Sequence, residues 1–386
     1  MKSIGIVGTG PAGLMAGLEL LKSGHDVQFF DQKKTAGRKF LVAGEGGFNL
    51  SNSLEINEFV SKYNHSFIKI AVEKFSNKDA VLMLKELGIE TFVGSSGKIF
   101  PKKGIKPIDV VSAIVNKIKE LGGNFNFEYT LKSFQANQLT FIHKNRERTV
   151  RFDEVIFSLG GSSWGKTGSD GKWCKMFMDL NIQIVPFESS NAGVEIQNWN
   201  SVLKGTILKN CSAKIDDEQI KGELLFTEYG IEGPPIYALN ASIRLGAETV
   251  FVDLKPSLTE EKILSVLQNG NFNRTEQLTQ LKINRKIIRH LKLSVSKEEF
   301  LNNDFLAEYI KHLPFQLGKL RPIDEAISTV GGISMEEIDS NFELKKLENH
   351  YCVGEMLDWD APTGGFLLQA CFSTGMAAAR AVSQKN

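Results

Sequence analysis

Ser3-Ile4-Gly5-Ile6-Val7-Gly8-Thr9-Gly10-Pro11-Ala12-Gly13-Leu14-Met15-Ala16-Gly17 is the stretch that decides the fold. An apolar run enters a glycine turn and leaves it as a helix, the setting that a Gly-x-Gly-x-x-Gly dinucleotide fingerprint requires. Gly8 permits the tight turn, Gly10 lets the backbone approach a pyrophosphate, and Gly13 lets the helix lie close on the strand. The helix opens at Pro11 and Ala12 and turns its free N–H groups and the positive end of its dipole towards the phosphates. Proline suits that first turn, because its missing N–H had no helical partner. A second apolar strand, Val27-Gln28-Phe29-Phe30, follows one helix later and ends in Asp31, with Gln32 beside it. An acid about 20 residues beyond the fingerprint is where ribose hydroxyls are bound.

With 386 residues the chain is long enough for about two or three domains. Its 42% hydrophobic and 24% charged content is that of an ordinary globular protein, and a formal charge of +1 argues against a strongly electrostatic partner such as nucleic acid, although patches can hide in a balanced total. Cys174, Cys211, Cys352 and Cys371 are far apart, so buried reduced thiols are expected and not a disulfide framework, a zinc site or a redox dithiol. No metal site is expected. The N-terminus enters a structural strand directly and no uncharged apolar run approaches membrane-spanning length. A soluble cytoplasmic protein without a membrane partner is the expectation.

Residues 57–87 look mainly helical, residues 89–93 and 98–100 are short strands, and residues 109–121 form an amphipathic helix that stops at Gly122-Gly123. Phe125-Asn126-Phe127, residues 139–142 and residues 152–159 are strand-like, the last running into Gly160-Gly161, a candidate second nucleotide contact. From about 189 to 254 short alternating stretches suggest an antiparallel β domain, and residues 257–311 have helical spacing. The basic run Lys282, Arg285, Lys286, Arg289 and Lys292 lies there and reads as a solvated helix face. The chain then returns to a strand at residues 350–353 and a small-residue helix over residues 369–382, so the first domain closes with the C-terminal segment and the middle is an insertion.

Three further glycine-rich stretches carry the chemistry. Residues 37–52 contain Arg38 and Lys39, which can neutralise phosphate, then Ala43, Gly44 and Asn49, and look like a ligand cradle. Residues 158–171 hold Gly160, and residues 354–369 lie between a strand and a helix. Together these stretches, with Phe226-Thr227-Glu228-Tyr229-Gly230-Ile231-Glu232-Gly233-Pro234 and Gly331-Gly332-Ile333, resemble the bacterial BaiN-like (YhiN-like) flavoproteins over nearly the whole chain. Gly46-Gly47-Phe48-Asn49, Glu228 and Gly364-Gly365-Phe366-Leu367-Leu368-Gln369 depart from the common pattern and, with Trp359-Asp360-Ala361-Pro362, resemble a side branch of it.

The resemblance implies an α/β fold. A two-part Rossmann-type FAD-binding domain spans 1–188 and 322–386. An inserted antiparallel β-barrel-like domain spans 189–256 and 312–321, and a small helical domain spans 257–311. It implies FAD as cofactor. Gly8, Gly10 and Gly13 would hold the pyrophosphate and Asp31 the ribose, with Arg38, Lys39, Ala43, Gly44 and Gly160 along the cofactor. Gly354, Glu355 and Asp358 would lie near the ribityl chain and pyrophosphate, and Gly364 to Gln369, with Gly365, Phe366 and Leu367 among them, would border the flavin ring. A helix starting near Gln369 would aim its positive end at the ring.

Only one fingerprint is present, so a second domain for NAD(P)H is not expected, while transient hydride delivery from NAD(P)H stays open. The sequence assigns no catalytic residue. Glu228, Trp164, Lys166 and Trp359 are candidates to line a substrate pocket, and Lys102, Lys103 and Lys106 read as a solvated loop. The expected function is a soluble FAD-dependent oxidoreductase acting on a small organic molecule. An RNA-modifying flavoprotein and a non-catalytic flavin redox sensor are the alternatives.

Overall fold

The computed structural model describes residues 1–42 and 48–385. The chain divides into two compact units, Met1–Glu188 with Ile327–Asn386, and Ser189–Ala326. The second break therefore falls after Ala326, whereas the sequence placed it after 321.

The first unit is built on a parallel sheet of β1 (Ser3–Val7), β2 (Asp26–Asp31), β3 (Asn124–Phe127), β4 (Glu154–Phe157) and β5 (His350–Cys352), in the order β5-β4-β1-β2-β3. The chain winds outward from β1 through β2 to β3, then resumes on the other side with β4 and β5. The winding direction thus reverses beside β1, and the crevice at such a reversal is where open α/β sheets bind ligands. β1, β4 and β5 are almost wholly buried, as expected of parallel strands covered on both faces. The cover comes from α1 (Pro11–Lys22), α2 (Pro107–Glu120) and α3 (Phe366–Gln384).

α3 starts at Phe366, three residues before the expected Gln369, because Gly365 takes a φ of 103° at its N-cap and Phe366 buries its ring against Phe59, with centroids 4.8 Å apart. α3 lies against α1 at a distance that only glycine allows. A Cβ on Gly375 would sit 2.2 Å from the carbonyl oxygen of Ala12.

The region expected to be mainly helical from 57 to 87 is three helices, Ile56–Val60, Ser66–Lys74 and Asn77–Glu86. Polar residues restart them. His65 Nδ1 accepts from the Phe67 amide, and Ser76 forms a reciprocal capping box with Asp79. Residues 139–142 belong to a separate antiparallel sheet, Thr130–Gln135, Gln138–His143 and Arg146–Arg151. Its last strand carries charge at most positions and gave no apolar signal.

The second unit is a closed six-stranded barrel in the order Val194–Ile196, Gly230–Glu232, Glu218–Phe226, Thr206–Ile215, Thr249–Asp253 and Leu313–Leu320. The helices Glu260–Leu267, Arg274–Gln280, Arg285–Ser294, Lys297–Leu301 and Asn303–Lys311 enter between the last two strands and share one apolar core with the barrel. Leu313–Leu320 pairs with Thr249–Asp253 on one side and Val194–Ile196 on the other, which closes the cylinder and leaves no free edge.

Among the described residues no helix is long and apolar enough to cross a membrane.

Because Ala12 stands at the glycine turn, the contact at Gly375 sets the position of the turn as well as the stability of the layer. Gly375→Ala should cost about 1–3 kcal/mol by overpacking. It should also weaken retention of the FAD that the resemblance implies, read together as a lowered denaturation midpoint and a faster loss of that cofactor.

Candidate functional site

The reversal beside β1 opens into a cavity of about 330 Å³. Its floor is the glycine turn. Gly8, at a φ of 101°, receives support from both neighbouring strands: its amide donates to Phe30 O at 2.8 Å, and its carbonyl accepts from Ser158 Oγ at 2.7 Å. A Cβ on Gly13 would lie 2.3 Å from both Gly8 O and Ser158 Oγ, so the third glycine sets the close approach of α1 to the turn. Gly10 is different. It holds ordinary extended angles, φ −74° and ψ 178°, and a Cβ there would meet nothing within 4 Å. Its missing side chain leaves the floor of the cavity open. Gly10 is also the N-cap of α1 and supplies no side-chain cap, so the first amides of a 12-residue helix face the cavity without one.

Gly8, Gly10, Pro11, Ala12, Asp31, Gln32, Arg38, Lys39, Gly160, Gly354 and Glu355 line this one cavity. Asp31 ends β2 as a rigid acceptor. Its Oδ2 takes the Thr9 amide at 2.8 Å and also the Thr9 hydroxyl, and its Oδ1 takes the Lys33 amide at 2.8 Å. A carboxylate has about four acceptor sites, so roughly one remains for a hydroxyl. Gln32 Nε2 donates to Gly168 O at 3.0 Å and ties this end to the second glycine-rich stretch. At the other end Lys39 Nζ lies 2.7 Å from Glu355 Oε2 and 2.9 Å from Ser163 Oγ. That pair is half-withdrawn from solvent, with side-chain exposures of 24% and 14%, so the lysine offsets the carboxylate in a poorly screened place.

Gly364, Gly365, Phe366 and Leu367 form a separate group that does not line the cavity. Asn52 Nδ2 donates to Gly364 O at 3.1 Å, the Tyr63 hydroxyl donates to Phe366 O at 2.8 Å, and a Cβ on Gly365 would sit 2.2 Å from the carbonyl carbon of Ser51. Gly365 is thus required by the packing of α3 on the strand Ser51–Asn52. Like Gly10, it leaves its helix without a side-chain cap. Asn49 and Asp358 also lie outside the cavity lining. Asp358 Oδ1 accepts from the Gly331 amide at 3.0 Å, and Asn49 precedes Leu50, whose amide donates to Ile99 O at 2.7 Å. Ala43 and Gly44 lie outside the described residues.

Of the side chains read as candidates for a substrate pocket, Trp359 is a packing residue. It is 2% exposed, and its Nε1 donates to Gly354 O at 2.9 Å, which holds that glycine at the cavity wall. Trp164 and Lys166 are exposed on the loop after Gly160, Trp164 with a left-handed φ of 63°. Glu228, in the second unit, is exposed and paired with Lys204 at 3.0 Å. Lys102, Lys103 and Lys106 are exposed, and Lys102 pairs with Glu90.

The structure adds residues that the motifs did not single out. Thr9 orients Asp31, Ser158 braces Gly8, and Trp173 Nε1 donates to Gly160 O at 3.0 Å. Tyr129, stacked on His143 with centroids 4.2 Å apart, forms an apolar wall with Leu131 and Met176. Ser169 is 6% exposed and lines the cavity, and among the described residues its Oγ has no hydrogen-bond partner. Cys371 also borders the cavity, but burial pushes its thiol well above the usual range and keeps it neutral. All four cysteines are free.

FAD fits what these residues offer. The open floor at Gly10 and the uncapped amides of α1 suit a diphosphate, Arg38 supplies a cation while Lys39 offsets Glu355, Asp31 keeps an acceptor for ribose, and the orphaned Ser169 hydroxyl awaits a polar partner. The cavity lies within the size range of small-molecule sites.

The chain is 24% identical to the ribosomal RNA dihydrouridine synthase of Haemophilus influenzae, with 98% of each chain covered. It is 22% identical to the 3-dehydro-bile acid delta(4,6)-reductase of Clostridium scindens over the full length of both. Among solved structures it resembles the open conformation of a flavocytochrome c3 fumarate reductase, with a TM-score of 0.55 at 13% identity, covering 99% of this chain and 78% of that one. It also resembles a 3-ketosteroid-delta4-(5alpha)-dehydrogenase from Rhodococcus jostii, with a TM-score of 0.52 at 12% identity, covering 98% and 96%. These two likenesses are of fold. The description "HI0933-like protein Rossmann domain" matches residues 2–381. The chain belongs to the HI0933-like Rossmann family.

Proposed function

We propose that the chain reduces a carbon–carbon double bond conjugated to a carbonyl group in an organic substrate. The observation that carries this reading is the reaction shared by the names of its full-length relatives. A dihydrouridine synthase saturates a uracil ring, and a delta(4,6)-reductase saturates an enone. Both add hydrogen across a double bond polarised by a carbonyl, on substrates of very different size. The relatives share that reaction type and not a substrate, so the reaction type is what transfers to this chain. An organic substrate of this kind is the leading reading; a uracil ring within RNA is the second, favoured by the name of the Haemophilus relative.

Flavin held in its two-electron-reduced form would supply the hydride equivalent for the β-carbon of such a substrate and return to FAD, with a proton completing the product at the α-carbon. The chain's residues bind and orient the cofactor. The α1 amides and Gly10 would receive the diphosphate, Asp31 a ribose hydroxyl, and Tyr129, Leu131 and Met176 the adenine. Lys39 offsets the charge of Glu355, so that this carboxylate does not repel the diphosphate. Gly364 to Leu367, at the uncapped start of α3, would border the ring, where the helix dipole favours the negative charge of the reduced state. Replenishment of hydride is assigned to NADH or NADPH acting transiently, since the chain has a single fingerprint.

Three measurements test this reading. Gly10→Val should fold normally, with an unchanged denaturation midpoint, yet purify without yellow colour and fail to take up FAD; retention of FAD by that variant would remove the cavity from the reading. Lys39→Met should weaken FAD binding roughly 10–100-fold, as expected for a partly buried pair losing one member. Adding Glu355→Gln should restore part of the loss, both read by titrating apoprotein with FAD. The anaerobically reduced protein should be reoxidised by a simple cyclic enone and not by the corresponding alkene lacking the carbonyl. Reoxidation by oxygen or quinones alone would count against double-bond reduction.

A further inference from the structure

The stretch from residue 277 to 296 contains Lys282, Arg285, Lys286, Arg289 and Lys292 and no aspartate or glutamate. In a chain of formal charge +1 that local excess does not follow from a basic composition. Four of the five stand on the Arg285–Ser294 helix, where Arg285, Arg289 and Lys292 follow the i, i+4, i+7 spacing of a single stripe. The opposite face, Ile287, Ile288, His290 and Leu291, is buried in the core of the second unit.

All five cations are exposed, and among the described residues none of them forms an ion pair. Their polar contacts leave the charge uncancelled: Lys286 Nζ donates to Lys204 O at 2.7 Å, and Lys292 Nζ to Thr275 Oγ1 at 3.0 Å. The same unit does place acids beside other lysines, as in Lys204–Glu228, Lys209–Glu223 and Lys311–Asp253. Like charges at helical i, i+4 spacing repel. This unit therefore keeps one stripe of mutually repelling cations while neutralising several of its other lysines.

We propose that this face is a contact surface for the phosphate backbone of RNA. The stripe runs about 10 Å along the helix at 1.5 Å per residue, long enough to meet a short run of phosphates. A membrane surface is a poorer match, because the helix's apolar face is already spent on the core and Leu293 is the one large apolar side chain exposed among the cations. His290 does not add to the charge near neutral pH, since burial lowers its basicity; the positive face is made by arginine and lysine alone. As to what is reduced, the inference rests on the second of the two readings above: among RNA bases, uracil carries the required double bond conjugated to a carbonyl.

The test is fluorescence anisotropy of a labelled single-stranded oligouridylate against the holoenzyme and its R285Q/R289Q/K292Q variant, over a range of salt. The wild type should bind, with the variant at least about 10-fold weaker at low salt. The slope of log affinity against log salt should shrink by about 2 for three lost phosphate contacts on a single strand. An unchanged FAD titration and melting temperature establish that the variant is folded. Equal affinities and slopes, no binding by either protein, or a difference seen only with phosphatidylserine vesicles would each overturn the proposal. Binding is read here without any reduction, and the enone measurement uses no RNA, so failure of one leaves the other standing.

Discussion

The structure depends on how closely α1, β1 and β4 approach one another at the glycine turn. Gly8 and Gly13 have carbonyl and hydroxyl oxygens where a Cβ would be, and Ser158 reaches across from β4 to hold the Gly8 carbonyl. That contact fixes where the first amides of α1 point. Asp31 is positioned by the same turn through Thr9, so the ends of β1, β2 and β4 act as one rigid part and not as three independent loops. A preorganised site of this kind loses little further freedom on binding a cofactor, which is why rigid elements carry such sites well.

Much of this was legible in the sequence. The fingerprint, the acid at 31 and the return of the chain to a sheet strand at 350 follow from patterns with a direct mechanical meaning, since each requires a particular residue at a particular backbone position. Local pattern showed the barrel only as alternating runs, and residues 312–321 joined it through the family resemblance, because closure rests on Leu313–Leu320 pairing across some sixty intervening residues of helix and loop. The Arg146–Arg151 strand escaped because cross-strand hydrogen bonds with Gln138–His143 hold it, and not burial.

The lining of the candidate site was legible where it is made of backbone and less so where it is made of side chains. Thr9, Ser158, Ser169 and Trp173 act through contacts distant in sequence or through a neighbour's carbonyl, and no local pattern announces them. Trp359 misled for a related reason. An aromatic residue in a glycine-rich run suggests a ligand, yet its indole is spent on holding the Gly354 carbonyl. Gly365 combines both lessons: its conformation is demanded by contact with Ser51, and that same contact leaves the start of α3 uncapped.

The parallel sheet joins both ends of the chain. β5 pairs with β4 through Val155, Ile156 and Phe157, and α3 covers α1. During synthesis the fingerprint leaves the ribosome some 340 residues before Gly354, Glu355 and Cys371, which line the same cavity. The inserted unit, with its own core, is complete well before then and can fold while the first strands still lack their neighbours. Closure of the cavity is thereby postponed until β5 and the start of α3 have emerged. A chain cut before residue 350 would display the glycine fingerprint with one wall of the cavity missing behind it.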